Sequence, residues 1–264
     1  MTFFDKEQVK RNFGQSSPTY DQYAHVQKSL AQELVAMIKM VGKEFSTILE
    51  IGCGTGFLTE ALAENFPHAK ILAVDISPQM LQVAQDKLSL YSNVTYLVGD
   101  GENLKIPACF DLITSSAVFQ WFNDCRQSFA AYRELLLDGG YFIFNILGEQ
   151  TYRELWQSLQ GIGLGYPKRS GMTAEELART LSFCGFTACS IDERLLRDYH
   201  QSARELLLGI KKSGAHSTPI HGHNGHLKGT DIFRLANFLN SHFRDEQGVW
   251  LTYHILCALS RKSS

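Results

Sequence analysis

The chain has 264 residues, of which 44% are hydrophobic and 20% charged, so it is long enough to bury a sizeable core as one large domain. Its net charge of −2 argues against a general nucleic-acid binder, and no apolar run approaches the roughly 20 residues that a membrane span needs. The amino-terminal residues show no signal-peptide pattern, and the six cysteines include no C-x-x-C pair, which is typical of reduced thiols in a cytoplasmic protein.

The charges are unevenly distributed along the chain. Residues 1–150 hold 11 Lys and Arg against 17 Asp and Glu, a balance of −6, whereas residues 151–264 hold 14 against 10, a balance of +4. A basic second half is compatible with an acidic protein partner or an anionic substrate, and equally with chance scatter over the surface. The sequence does not indicate an oligomeric state, and a monomer is plausible.

The first 45 residues are predicted to form a helical cap. Residues 5–14 and a longer segment from about 20 to 41 have apolar side chains at helical spacing. This stretch is too short to bury a core of its own. We therefore expect it to lie across the domain that follows.

A glycine-rich turn follows a short apolar strand at residues 47–51 and runs into a helical pattern. A strand that turns through Gly52, Gly54 and Gly56 presents backbone N–H groups and a positive helix end to a polar ligand. The third glycine comes one residue too early for the Gly-x-Gly-x-x-Gly pattern of nicotinamide dinucleotide binders. Glu50, directly before the first glycine, is not part of that pattern either.

The next hundred residues alternate between strand and helix patterns, which indicates right-handed crossovers and a doubly wound, mostly parallel α/β sheet. Ser77 and Pro78 are typical of a helix start. This core is predicted to span residues 46–148. The further strands are predicted at residues 71–75, 94–98, 110–115 and 141–147, and the last crossover helix at 126–137.

Residues 149–264 are predicted to complete a single domain with substrate-lid helices and two late strands. Thr173 and Glu176 have the spacing of a capping box. The late strands are expected to pair antiparallel at an edge of the sheet. The helices are predicted at residues 152–164, 173–184, 202–212 and 231–243, the strands at 186–196 and 249–259, and a Gly- and His-rich loop at 213–229.

Residues at the predicted strand ends are candidates for binding a nucleoside. Asp75 follows the glycine turn by about 20 residues and could accept both ribose hydroxyls, although capping the next helix is an alternative. Asp100 could accept the adenine amine, or simply form a turn. Ile76, Met80 and Leu104 could enclose the adenine, and each could equally belong to the core.

Four histidines at positions 216, 221, 223 and 226 raise the possibility of a zinc site. No cysteine or acidic ligand lies nearby in the sequence. A polar surface loop is therefore the preferred interpretation, and no metal is predicted.

Two levels of resemblance narrow the function. The motif Glu50-x-Gly-x-Gly-x-Gly resembles the first motif of the S-adenosylmethionine-dependent methyltransferases with a Rossmann-like sheet. The chain over nearly its full length resembles the malonyl-[acyl-carrier protein] O-methyltransferases of biotin synthesis. The stretches that carry this second resemblance are Arg11-x-Phe13, residues 20–27, 49–56, Asp75, 99–100, 119–121, 210–215 and 251–254.

This resemblance implies an S-adenosylmethionine-dependent enzyme that methylates the free carboxyl of the malonyl thioester on acyl carrier protein and releases S-adenosylhomocysteine. Tyr20 is implied to close over donor and acceptor. A cation near the lid should orient the malonyl carboxylate. Lys211 is the first choice, with Lys212, His216 and His254 as weaker ones, and a solvated lid lysine as the alternative. Arginine, which the family can carry at the position of Lys211, would hold a carboxylate more firmly.

Residues and resemblance together give one set of site predictions, with Tyr20 and Lys211 in catalytic roles. A methyltransferase for another small carboxylate, a nicotinamide-dependent oxidoreductase and a non-catalytic binding module remain alternatives. The predicted substrate residues are Gln120, Lys211, Lys212, His216, Tyr253 and His254. The predicted cofactor residues are Tyr20, Gln27, Glu50, Gly52, Gly54, Gly56, Asp75, Ile76, Met80, Asp100, Gly101, Glu102, Ser116 and Trp121.

Overall fold

The computed structural model describes residues 4–164, 171–214 and 228–263, which form one eight-stranded sheet with α-helices around it. Among these residues, no helix is both long and apolar enough to cross a membrane. The strands are β1 (Thr47–Ile51), β2 (Lys70–Asp75), β3 (Val94–Val98), β4 (Phe110–Ser116), β5 (Leu136–Leu147), β6 (Phe186–His200), β7 (Arg244–Asp245) and β8 (Gly248–Lys262). The helices are α1 (Lys6–Ser16), α2 (Tyr20–Tyr23), α3 (His25–Met40), α4 (Phe57–Asn65), α5 (Pro78–Lys87), α6 (Cys125–Leu135), α7 (Arg153–Gly161), α8 (Ala174–Phe183), α9 (Ala203–Lys212) and α10 (Gly229–His242).

The strand order β3-β2-β1-β4-β5-β8-β6 confirms the predicted doubly wound, mostly parallel sheet. Strands β1 to β5 pair in parallel, whereas β8 pairs antiparallel with both β5 and β6. The last strand in sequence thus lies inside the sheet, and β6 forms its outer edge. Burial explains this order, because β8 is buried along most of its length whereas β6 is mostly exposed.

Several element boundaries differ from the sequence prediction: α7 ends at Gly161 rather than at residue 164, and β6 and β8 extend to His200 and Lys262 rather than to 196 and 259. The helix expected from about residue 20 to 41 is interrupted at Ala24, whose φ of −98° and ψ of 40° separate α2 from α3. The strand expected at 141–147 begins at Leu136, which pairs with Phe110 before a register shift. Gly139, with φ at 73°, lies within this irregularity, so it marks a bulge in β5 rather than part of a connection between the predicted helix at 126–137 and the predicted strand at 141–147.

Helices cover both faces of the sheet. Ile48 of β1 packs with α3, α4 and α5 on one face, and its neighbour Leu49 packs with α6 and α8 on the other. Ser77 caps α5 by accepting from Met80 N at 3.3 Å. A third apolar cluster joins α3, α7, α9 and α10 over β8. The strands therefore present their carboxyl ends to one edge, which the cap helices overlie.

Candidate functional site

A cavity lies at the carboxyl ends of β1 to β4, beneath α1, α2 and the start of α3. Including its open mouth, it holds about 890 Å³ of space between protein atoms. The structure brings twelve of the fourteen predicted cofactor residues to its wall; Gly56 and Glu102 are the other two. The twelve are Tyr20, Gln27, Glu50, Gly52, Gly54, Asp75, Ile76, Met80, Asp100, Gly101, Ser116 and Trp121.

The glycine turn forms the floor of this cavity. Gly52, Gly54 and Gly56 have φ values of +70°, +55° and +91°, in the left-handed region that favours glycine. A Cβ at Gly52 would stand 2.4 Å from Cγ2 of Val118, so a larger residue would push into the cavity wall. Gly56 precedes α4 and shapes the turn without lining the cavity. The turn therefore brings bare backbone to the cavity.

Asp75 lies between the glycine turn and α5, and its side chain is buried. One carboxylate oxygen accepts from Ser77 N and the other from Gly54 N, each at 2.8 Å. Burial raises the pKa of Asp75 to about 6, although both backbone hydrogen bonds act in the opposite direction. The carboxylate is thus held at the cavity wall between the glycine turn and α5.

Glu50 is a second buried acid in the same cavity. Its Oε2 accepts from Thr59 Oγ1 at 2.7 Å. Burial raises the pKa of Glu50 to about 8, the hydrogen bond from Thr59 lowers it, and nearby Asp75 raises it. Two buried acids side by side favour a ligand that carries positive charge.

The loop after β3 contributes Asp100 but turns Glu102 away. Asp100 accepts from Glu102 N at 3.1 Å and lines the cavity. Glu102 instead accepts from Asn123 N at 2.8 Å and from Asp124 N at 2.6 Å, and it pairs with Lys6 at 2.5 Å. The Glu102 carboxylate therefore connects three neighbouring segments of the protein and does not line the cavity.

The cap supplies aromatic and apolar lining. Tyr20 packs between the rings of Phe13 and Phe57, at centroid distances of 6.4 and 6.1 Å. Burial and nearby Asp75 raise the pKa of Tyr20, so its hydroxyl stays protonated. Sequence reasoning did not single out Lys6 or Phe57 as lining residues. For α1, the spacing of Lys6, Val9 and Phe13 could have indicated the lining, because it puts all three on one face of the helix.

Of the predicted substrate residues, Gln120, Tyr253 and His254 are buried away from the cavity wall. Gln120 Nε2 donates to Ala117 O at 2.5 Å, and its Oε1 accepts from Leu147 N at 3.5 Å. His254 Nδ1 accepts from Gln150 N at 3.3 Å, while its Nε2 lies 2.7 Å from a Glu193 carboxylate oxygen. We assign Gln120 and His254 structural roles, because neighbouring groups of the protein already occupy their polar atoms.

Tyr253 differs from these two, because its hydroxyl lies in an aromatic pair near the cap. Its Oη is 3.0 Å from Tyr152 Oη, and the rings meet edge-on at 5.1 Å. Tyr152 also contributes to the raised pKa of Tyr20. The pair therefore lies near Tyr20 but outside the cavity wall.

The two lid lysines are exposed at the end of α9 and do not line the cavity. A Cβ at Gly214, just after α9, would meet the Phe13 ring at 3.0 Å, so this end of α9 lies against the cap. Lys211 and Lys212 are thus near the cap but outside the cavity wall. His216 and the other three histidines of the predicted loop lie outside the described residues. Within the described ranges, no His, Cys, Asp and Glu side chains group as metal ligands would.

Comparisons with known proteins agree with this geometry. A family model described as a methyltransferase domain matches residues 49–144. A malonyl-[acyl-carrier protein] O-methyltransferase from Priestia megaterium is 34% identical over 269 residues, covering 96% of each chain. One from Hahella chejuensis is also 34% identical, covering 97% of this chain and 91% of that protein. The solved N-methyltransferase NodS from Bradyrhizobium japonicum, in complex with S-adenosyl-L-homocysteine, shares the fold with a TM-score of 0.54 at 14% identity, over 97% of this chain and 100% of that chain.

Proposed function

The chain belongs to the family of malonyl-[acyl-carrier protein] O-methyltransferases, and we propose that it methylates the free carboxyl of the malonyl thioester on acyl carrier protein. S-adenosyl-L-methionine is the methyl donor, and the products are the methyl ester and S-adenosyl-L-homocysteine. The ester is an early intermediate of pimeloyl and biotin synthesis. The observation that carries this proposal is the extent of the similarity, which runs through cap and lid as well as the methyltransferase domain at 49–144.

The residues of the cavity fit this donor. Asp75 suits the ribose hydroxyls and Asp100 the adenine amine, with Ile76 and Met80 beside them to enclose the base. The buried acid Glu50 suits a positively charged group. The other predicted lining residues, among them Gln27, Ser116 and Trp121, complete the cavity wall.

The acceptor explains why the site needs no general base. Bound S-adenosylmethionine supplies a methyl group activated by a positively charged sulfur. A malonyl carboxylate is already ionised at pH 7, so the protein has to align it and exclude water. Tyr20 fits this role, because a hydroxyl whose pKa is raised keeps its proton and can donate a hydrogen bond to the carboxylate. The rings of Phe13 and Trp121 keep water from the same region.

Lys211 is proposed to orient the malonyl carboxylate from the end of α9, although it lies outside the described cavity wall. Lys211→Ala should then raise the KM for malonyl-acyl carrier protein and leave the affinity for S-adenosylhomocysteine unchanged. Lys212→Ala, on the same helical turn, is the matched comparison. An equal rise in KM for both variants would indicate general attraction of an acidic carrier instead. Loss of donor affinity in Lys211→Ala would point to misfolding.

The central test is radiolabelled methyl transfer to carrier protein that bears malonyl, acetyl or succinyl groups. We expect transfer to the malonyl form to exceed the others. No malonyl preference would refute the acceptor, and methylation of a free dicarboxylic acid without carrier would favour another small carboxylate. Calorimetry separates the remaining alternatives: binding of NAD without S-adenosylhomocysteine would indicate an oxidoreductase, and donor binding without turnover would indicate a binding module.

A further inference from the structure

Lys6, on the first turn of α1, reaches across the cavity mouth to two acidic side chains. Its Nζ lies 2.5 Å from Glu102 Oε2 and 3.6 Å from Asp100 Oδ1. It also donates to Trp121 O at 3.3 Å and stands 4.5 Å from the Phe122 ring centroid. The side chain is only 22% exposed, so this is not a solvated surface ion pair.

The chain next to Lys6 is fastened to the same side of the cavity. Phe4 N donates to Asn123 Oδ1 at 2.7 Å, and Asn123 Nδ2 donates back to Phe4 O at 3.1 Å. The rings of Phe4 and Phe13 pack edge-on against Trp121 at 5.4 and 5.6 Å. The start of α1 is thus fastened over the cavity, and Lys6 is on the face of α1 that lines it.

The charges explain why this lysine matters to the base-binding end of the cavity. Asp100 and Glu102 lie two residues apart, with side chains 28% and 9% exposed. Two carboxylates this close repel each other, and a mostly buried one is costly without a partner. Lys6 pairs with both carboxylates from α1, while Asp100 also accepts from Glu102 N at 3.1 Å and from Asn103 Nδ2 at 2.9 Å. The placement of α1 over the cavity and the surroundings of the Asp100 carboxylate are therefore coupled.

We propose that Lys6 is a positioning residue for the adenine end of the cofactor, holding α1 closed and keeping the Asp100 carboxylate aimed at the base. The proposal rests on the proposed function, in which Asp100 accepts the adenine amine. An ionised acceptor favours a base that carries an amine over one that carries a carbonyl oxygen at the same position. Lys6 thus contributes both to retention of the cofactor and to selection of adenine.

The test compares S-adenosylhomocysteine with S-inosylhomocysteine, in which a carbonyl replaces the adenine amine. Calorimetry gives both affinities, and stopped-flow measurement of tryptophan fluorescence, to which Trp121, Trp156 and Trp250 all contribute, gives the dissociation rates. For Lys6→Gln we expect S-adenosylhomocysteine to dissociate about tenfold faster and the preference over the inosyl analogue to shrink. In Lys6→Arg, which keeps the positive charge, the dissociation rate and the preference for S-adenosylhomocysteine should both stay close to those of the wild type. Lys10→Gln, one turn further along α1 and outside the cavity wall, should change neither.

The double variant Lys6→Gln, Asp100→Asn separates positioning from mere stability. If Lys6 acts through Asp100, the loss of preference in the double variant should equal that of Asp100→Asn alone. Equal weakening of both ligands in Lys6→Gln, with the preference unchanged, would overturn the proposal. Failure of the wild type to bind S-adenosylhomocysteine would instead refute the proposed function itself.

Discussion

The buried carboxyl group of Asp75 makes a pH-dependent affinity for the cofactor product a direct expectation. Burial raises the pKa of this group to about 6, despite hydrogen bonds from the backbone of Ser77 and Gly54. Only the ionised form can accept both ribose hydroxyls, because a protonated carboxyl has given up part of its acceptor capacity. Binding at low pH must therefore first remove a proton from Asp75.

The size of the effect follows from this pKa. With a value of about 6, the group is about nine-tenths protonated at pH 5 and about one-tenth protonated at pH 7. S-adenosylhomocysteine should then bind about tenfold more weakly at pH 5 than at pH 7, which corresponds to about 1.4 kcal/mol. Glu50, whose pKa is about 8, stays mostly protonated across this range.

Ionisation of Asp75 has opposite effects on the stability of the fold and on the affinity for S-adenosylhomocysteine. The folded-state pKa lies above the ordinary value of 3.8, so the folded protein holds this proton more tightly than the unfolded chain. The contribution of Asp75 to stability is present at low pH and is lost as pH rises through about 6. The rise in melting temperature caused by S-adenosylhomocysteine should meanwhile grow with pH.

The assay is isothermal calorimetry of S-adenosylhomocysteine from pH 5 to 7, in pairs of buffers with different ionisation enthalpies. The wild type should release close to one proton on binding at pH 5 and little at pH 7. Asp75→Asn should bind S-adenosylhomocysteine weakly, with an affinity that does not depend on pH. Glu50→Gln should keep the pH dependence of the wild type. A flat wild-type profile, or the same slope in Asp75→Asn, would refute the assignment of Asp75 to the ribose.

Three further predictions concern the cavity and its surroundings. Glu50→Gln should reduce affinity for S-adenosylmethionine relative to S-adenosylhomocysteine by a factor on the order of 10 at pH 9, where the Glu50 carboxyl is mostly ionised, and have little effect at pH 5, because only the former ligand has a charged sulfur; calorimetry with both ligands checks this. Gly52→Ala should lower stability by about 1–3 kcal/mol and weaken ligand binding, since its Cβ would meet Val118; thermal unfolding should show partial rescue by Val118→Ala. Gln120→Ala should lower stability by about 1–3 kcal/mol while the KM for malonyl-acyl carrier protein stays unchanged, as denaturant unfolding and steady-state kinetics would show.

Each of these has a clear contrary outcome. Equal loss of both ligands in Glu50→Gln would mean that the acid does not respond to the charge on sulfur. An unchanged melting temperature in Gly52→Ala would show that the turn relaxes around a side chain. A raised KM in Gln120→Ala, with stability intact, would return this residue to the acceptor site.

The core of the fold was predictable because its signals are local. A strand of five residues, a glycine turn and a capped helix can each be recognised within a short window, and the handedness of crossovers then assembles them. The place of β8 depends on its pairing with β5, more than a hundred residues earlier, and with β6, 49 to 76 residues earlier. The bulge at Gly139 and the break at Ala24 likewise depend on what the chain packs against.

The donor side of the site was predictable for a related reason. Parallel strands bring their carboxyl ends to one edge, so Glu50, Asp75 and Asp100 had to converge once the topology was known. Lys6 depends instead on how a separate helix lies across that edge. Resemblance had a different limit at Gln120 and His254, because a motif shared with a family does not distinguish a residue that touches substrate from one that holds two strands together.

Tyr20 links the two halves of the site, because the helix that carries it is attached to the donor side. Asp21, its neighbour on α2, accepts from Thr55 Oγ1 in the glycine turn and from Lys87 Nζ on α5 at 3.2 Å. The position of the Tyr20 hydroxyl is therefore set by the same turn that forms the cavity floor. If Tyr20 aligns the carboxylate acceptor as proposed, docking of α2 on this turn would couple the placement of the acceptor to the donor site.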